Sequence, residues 1–226
     1  MNIGLLLSGC GVYDGAEIQE AVFSMLAIEE IGGTVVSIGI NDQQHHVVNH
    51  ITGEEMSESR NMLVEAARIA RGNITDLSLL DLNSIDALVI PGGFGSAKNL
   101  TNWAFEGPNG TIRPDVKSLL LKVHEAKKPI VALCVSPVVV AKAFEGTAVH
   151  PTLTIGTTKA TSPYTISDFN AGLQATSATT EEAFLGEVVL DEGNKIITAP
   201  CYMMDASLLE VKNNISNAIN VLKSIL

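Results

Sequence analysis

The sequence predicts an α/β fold: a three-layer sandwich with a mostly parallel sheet, built as one domain over residues 1–226. Three observations carry this. Strand-like and helix-like segments alternate along the chain, the pattern of a layered α/β domain. The strand segments are unbroken Val/Ile/Leu runs, as strands buried on both faces must be. No linker, repeat or low-complexity stretch divides the chain, and 226 residues suffice for one full core.

Residues 2–8 read as a buried strand and 9–15 as a turn. Over 15–31, Ile18, Ala21, Val22, Met25, Leu26 and Ile28 recur with a helical period. Gly32 and Gly33 stop that helix, and 34–40 form a second strand. Such a βαβ unit has parallel strands and a right-handed crossover. Residues 41–56 show no period and hold His45, His46 and His50. A helix over about 57–71 ends at Gly72, and a third buried strand, 85–91, runs into Pro91-Gly92-Gly93. A polar stretch continues to about 109, a helix spans 114–127, and a fourth strand covers 130–134. A helix starts at Pro137, a short strand is expected at 153–157, and 186–190 with 195–199 form a hairpin. An amphipathic helix over about 205–226 closes the chain.

Net charge is −11, which disfavours phosphate backbones and anionic lipid as general partners, so neither nucleic acid nor membrane is expected. Cys10, Cys134 and Cys201 are too few and too scattered for a disulfide framework, and a reducing compartment follows. Leu7-Ser8-Gly9-Cys10 matches a lipoprotein cleavage box, but no basic segment precedes it. The apolar runs are too short to span a bilayer. The expected location is the cytoplasm, or an organelle matrix after processing.

In parallel sheets, sites form beyond the carboxyl ends of the strands. Three such ends carry chemistry. The strand ending at Cys134 gives way to a helix within about two residues, with small Ala132 and Ser136 on either side, as a tight nucleophile elbow needs. Pro137 suits a first helical turn. A thiol there feels the helix N-terminus, which lowers its pKa and favours the nucleophilic thiolate. The alternative is a small hydrophobe closing a buried strand. Gly92 and Gly93 are either a plain turn or N–H donors for an oxyanion. Asp14 and Glu17 are spaced as a helix N-cap and its third-residue partner. Glu17 either caps or works as a general base beside Cys134. Gly9, Gly11 and Gly15 nearly spell a dinucleotide fingerprint, with Asp42 as a ribose-binding acid, but Asp14 stands where the third glycine belongs. The three histidines lack a Cys or carboxylate that would complete a metal set, so no metal is expected.

Gly15-Ala-Glu-Ile-Gln-Glu20, Pro91-Gly-Gly93 and Ala132-x-Cys134 resemble the PfpI-type branch of the class I glutamine-amidotransferase-like superfamily. The longer runs Leu7 to Gly15, Asn49-His50-x-Thr52-Gly53-Glu54-x-Met56, Arg60-Asn61 and Glu65-Ala-Ala-Arg68 are similar to its ElbB-type, glyoxalase-like members. The resemblance spans nearly the whole chain. It implies a flavodoxin-like sandwich, usually dimeric, with Cys134 as nucleophile, Glu17 as its proton-transfer partner, and the N–H groups of Gly93 and Val135 as oxyanion donors. It also implies conversion of glyoxal or methylglyoxal to the hydroxy acid without a cofactor, in a homodimer whose partner is a small aldehyde. Gly92, Cys10, His50, Arg60 and Asn61 are expected to line the site. The alternative is a regulatory protein whose Cys134 is oxidised. Amidotransferases carry a His downstream of the Cys and PfpI-type proteases one directly after it. Here Val135 follows, and His150 does not match the spacing, so glutaminase and protease activity are not expected.

Overall fold

A computed structural model describes residues 1–226. Its elements are β1 (Asn2–Leu6), α1 (Ile18–Glu30), β2 (Thr34–Gly39), α2 (Met62–Ile69), β3 (Thr75–Asp76), β4 (Ala87–Ile90), α3 (Trp103–Glu106) and α4 (Pro114–Glu125). They continue with β5 (Ile130–Leu133), α5 (Pro137–Phe144), β6 (Thr152–Leu153), α6 (Ile166–Ala175), β7 (Thr179–Thr180), β8 (Val189–Asp191), β9 (Ile196–Ala199) and α7 (Leu208–Ile225). The main sheet has the order β3-β2-β1-β4-β5-β9-β8. Every pair is parallel except β8 with β9, the expected hairpin. A second, two-stranded sheet pairs β6 with β7.

The chain winds outward from β1 to β3, then from β4 to β9 in the other direction. Right-handed crossovers therefore send helices to opposite faces. α1 packs on α7, and α4 packs on α5. The reversal between β1 and β4 opens a crevice at the carboxyl ends of the strands. All residues of β4, β5 and β9 are buried, which is why these strands read as continuous apolar runs. β1 lies in mid-sheet between β2 and β4, so residues 2–6 belong to the core.

Several expectations change. The period of residues 15–31 finds the helix but not its inner face: Ile18, Val22 and Leu26 are 44–45% exposed. The buried side carries Glu20, Ala21, Ser24, Ala27 and Ile28. Small residues let α1 approach the sheet closely. The helix expected from 57 starts at Met62, because Asn61 caps it by accepting the N–H of Val64. The strand expected at 153–157 shrinks to Thr152–Leu153. α3, α6, β3 and β7 are additional elements. No helix is long and apolar enough to cross a membrane.

Candidate active site

β5 delivers Cys134 to the crevice and stops. Cys134 has φ +57°, a left-handed conformation that costs a non-glycine residue about 1–3 kcal/mol. Three hydrogen bonds hold it. The N–H of Cys134 donates to Ala199 O at 2.9 Å, and that of Ser136 to Leu133 O at 2.9 Å. The buried Ser136 hydroxyl donates to Pro91 O at 2.6 Å, tying the elbow to the end of β4. α5 then begins with Pro137 at its first turn.

Two loops close over the thiol. The Glu17 N–H donates to Gly92 O at 2.9 Å, Gly95 N–H to Gly15 O at 2.8 Å, and Phe94 N–H to Val12 O at 2.7 Å. The glycines make this fit possible. A Cβ on Gly92 would lie 2.4 Å from Cys134 Cβ, 2.8 Å from its sulfur and 2.5 Å from Glu20 Oε2. Gly93, at φ +95°, would meet Glu17 N and Gly15 O at 2.4 Å. Gly92→Ala is therefore expected to cost about 1–3 kcal/mol in stability by overpacking. Chemical denaturation reads that loss, and a titration of Cys134 with a thiol reagent should show a displaced, more reactive sulfur. Unchanged stability and reactivity would contradict the packing described.

The carboxyl group at the sulfur is Glu20. It is fully buried and lies beside the Cys134 thiol. Its Oε2 accepts the Gly92 N–H at 2.8 Å and its Oε1 the Tyr202 N–H at 3.3 Å. Burial, and then the charge of Glu17, pushes its pKa up to about 8. Burial and then Glu20 push the Cys134 thiol well up, against the pull of the Gly93 N–H. The lowered thiol pKa expected from the helix terminus is thus overturned: desolvation outweighs the dipole in this site. Both groups of the pair resist carrying charge.

Glu17 is corrected accordingly. Its Oε2 accepts the Glu20 N–H at 2.6 Å, so it is the N-cap of α1. Its carboxylate lines the same cavity as Cys134 but is committed to the helix start, and burial raises its pKa. The capping pair is therefore Glu17 with the Glu20 N–H, not Asp14 with Glu17. Asp14 instead accepts the Val48 N–H at 2.7 Å.

The cavity at Cys134 measures about 20 Å³, room for about one water molecule. Val12, Phe94, Tyr164, Phe169, Tyr202 and Met203 give it mostly apolar walls. Gly93 and Val135 line it, and their N–H groups donate to no oxygen of the chain. Gly92 does not line the cavity; it packs behind it against Cys134 and Glu20. Cys10, His50, Arg60 and Asn61 do not line this cavity. Cys10 lies beside Glu65 and Arg68. His50 accepts the Tyr13 N–H at 3.3 Å, and its Nδ1 lies 3.0 Å from Val48 O. Arg60 pairs with Glu58 and Glu65, and Asn61 caps α2. His45 and His46 pack against Phe105.

The dinucleotide reading fails on geometry. Gly11 and Gly15 turn their N–H groups inward to Ala16 O and Gly11 O, and Asp42 pairs with Arg113. A larger groove of about 460 Å³ beside α4 contains Arg113, but Asp42 and Asp115 hold that guanidinium and no thiol lines the groove.

Sequence reasoning missed Glu20. One signal existed: Ala16, Glu20, Ser24 and Ala27 form a row of small and polar residues at helical spacing, and all four are buried. A carboxylate in such a row faces the sheet.

No protein-family model matches the chain. It is 37% identical over 218 residues to the ES1 protein homolog, mitochondrial, of Rattus norvegicus, covering 95% of this chain and 80% of that protein. It is 38% identical over 222 residues to the human glutamine amidotransferase-like class 1 domain-containing protein 3, mitochondrial, covering 95% and 79%. Among solved structures, an isoprenoid biosynthesis protein with amidotransferase-like domain from Ehrlichia chaffeensis superposes with a TM-score of 0.89 at 34% identity, over the full length of both chains. A ThiJ/PfpI domain protein from Brachyspira murdochii shares the fold, with a TM-score of 0.56 at 15% identity over 99% of this chain and 96% of that one.

Proposed function

The chain belongs to the glutamine amidotransferase-like class 1 family that includes the ES1 proteins, and on that footing we propose that it is a glyoxalase-like enzyme, converting glyoxal or methylglyoxal to the hydroxy acid through Cys134. One observation carries the reading: Cys134 and two N–H groups that donate to no oxygen of the chain line one small, mostly apolar cavity, with the buried Glu20 carboxyl group beside the thiol.

The charge shared by Cys134 and Glu20 reacts from the form with the thiolate on Cys134 and the proton on Glu20. The sulfur adds to the aldehyde carbon. The N–H groups of Gly93 and Val135 receive the resulting oxyanion, each worth about 10²–10³ in rate where such donors are well placed. Glu20, not Glu17, moves the proton between the adjacent carbons through an enediol. Water then hydrolyses the thioester and frees the thiol. The steps draw on the chain's own residues and water. The absence of a matched histidine leaves proton transfer to Glu20 alone.

The raised pKa of Glu20 sets the pH dependence. Below about 8 the pair is mostly protonated and only its ionised fraction reacts; as pH rises through about 8 it acquires its negative charge. kcat/KM for glyoxal should climb toward tenfold per pH unit below that value and level off above it. A rate that peaks near pH 5 would remove this assignment. The proposal as a whole is tested by glyoxal consumption with purified protein, chelated and free of glutathione. Wild-type turnover no greater than that of Cys134→Ser overturns it.

The rat and human relatives are named as mitochondrial. An organelle matrix, or the cytoplasm, is the compartment we propose for this chain, and three free cysteines suit either. A second reading, a redox-responsive protein, is favoured by one observation: a second buried thiol, Cys201, lies two residues past the strand paired with β5.

A further inference from the structure

The two paired strands at the site are each followed within two residues by a cysteine. β5 pairs with β9 in parallel, and Leu133 faces Ala199. Cys134 is one residue past that pair and Cys201 two. Paired parallel strands run about 4.8 Å apart and advance about 3.3 Å per residue. On extended paired strands a one-residue offset corresponds to about 6 Å between Cα atoms, comparable to the roughly 4.4–6.8 Å span of a disulfide, and the two turns start from that spacing.

The local contacts agree with that proximity. The Cys134 N–H donates to Ala199 O and also faces the sulfur of Cys201. Both cysteines adopt left-handed backbone, φ +57° and +45°, so both strands turn over at the thiol. The Cys201 turn is held by its N–H donating at 3.0 Å to Oδ1 of the fully buried Asn214. The Glu20 carboxyl bridges the two loops, with one oxygen on Gly92 N–H and the other on Tyr202 N–H. Cys201 is completely buried, and the aldehyde chemistry gives it no part.

We propose that Cys201 is the resolving thiol of Cys134: a hydroperoxide oxidises Cys134, and Cys201 captures the product as an intramolecular disulfide. In the first step the Cys134 thiolate attacks one peroxide oxygen and the O–O bond breaks. The leaving hydroxide or alkoxide takes the Glu20 proton and departs as water or alcohol. Cys134 becomes the sulfenic acid and Glu20 a carboxylate. In the second step the Cys201 sulfur attacks the sulfenic sulfur. The S–O bond breaks, the hydroxyl leaves with the Cys201 proton as water, and the S–S bond forms. The sulfenic acid is thereby withdrawn before it reaches the irreversible sulfinic state. Cys10 cannot substitute, because it sits with Glu65 and Arg68 beside α2.

This inference rests on the redox reading of Cys134 and is independent of aldehyde turnover. The test treats wild type and Cys201→Ala with a few equivalents of hydrogen peroxide, blocks free thiols and maps the peptides by mass. In wild type the Cys134 and Cys201 peptides should appear joined and two hydrogens lighter. In Cys201→Ala at the same dose, Cys134 should reach sulfinic acid about tenfold more often. Wild-type Cys134 that ends as sulfinic acid without the joined peptides, or joined to Cys10, overturns the inference. If Cys201→Ala does not fold, the joined wild-type peptides decide alone. Turnover of glyoxal without the disulfide sinks this inference and leaves the aldehyde reading standing; a disulfide without turnover does the reverse.

Discussion

Cys134→Ser should reduce glyoxal consumption by at least about a thousandfold while the protein stays folded. The site already pushes the thiol well above its ordinary range through burial and Glu20. A serine hydroxyl starts several units higher still, so the same surroundings leave no usable alkoxide. Serine otherwise fits: it is no larger, and it keeps the N–H that donates to Ala199 O. Initial rates at pH 9 measure the loss, and a melting temperature within a few degrees of wild type shows that chemistry rather than folding was removed. A variant that retains a tenth of wild-type turnover would move the nucleophile elsewhere.

Glu20→Gln is expected to lower kcat by about 10²–10⁴, because the amide neither gives nor takes the proton. Its stability signature is more specific. The folded pKa of Glu20 lies near 8 against an ordinary 4.5. A carboxyl raised in this way favours the folded state below 4.5 and loses that contribution as pH rises through about 8. Gln removes the ionisation but satisfies only one of the two N–H donors, Gly92 and Tyr202, leaving the other to cost about 1–3 kcal/mol. Glu20→Gln should therefore melt below wild type at pH 5 and gain on it steadily toward pH 9. Parallel curves across that range would contradict the assignment. Glu17→Gln separates the two carboxylates. Losing part of the cap should cost up to about 1 kcal/mol. Removing the Glu17 charge should shift the pH–rate inflection downward, since that charge helps to raise Glu20. Turnover at the plateau should stay within about tenfold of wild type.

These contrasts also show what the sequence reveals. Alternating segments and the Pro91-Gly-Gly93 and Cys134 strand ends give the layers, the parallel sheet and the crevice, because burial on both faces leaves a direct mark on composition. α6 is not among the expected elements, although Ile166, Phe169 and Leu173 recur at helical spacing. The inner face of α1 was not. Apolar Ile18, Val22 and Leu26 point outward there, and a buried acid replaces the hydrophobic residue that the pattern expects. Periodicity finds where hydrophobes go, and an active site is where the fold withholds them. Cys201 was hidden for another reason. Its meaning comes from the β5–β9 register, which brings it to a residue 67 positions away.

The bond from Tyr202 N–H to Glu20 links residues 182 positions apart. The reactive centre thus draws on β1, β4, β5 and β9 at once, and the two N–H groups on the Glu20 carboxylate come from 72 and 182 positions away. Such long-range closures form slowly, after the intervening chain has organised. A nascent chain without its last strand lacks this carboxylate clamp, and no fragment short of α7 holds the Cys201 turn through Asn214. The thiol therefore becomes chemically competent only when the whole polypeptide has folded, and refolding kinetics followed by its reactivity should lag those followed by helix formation.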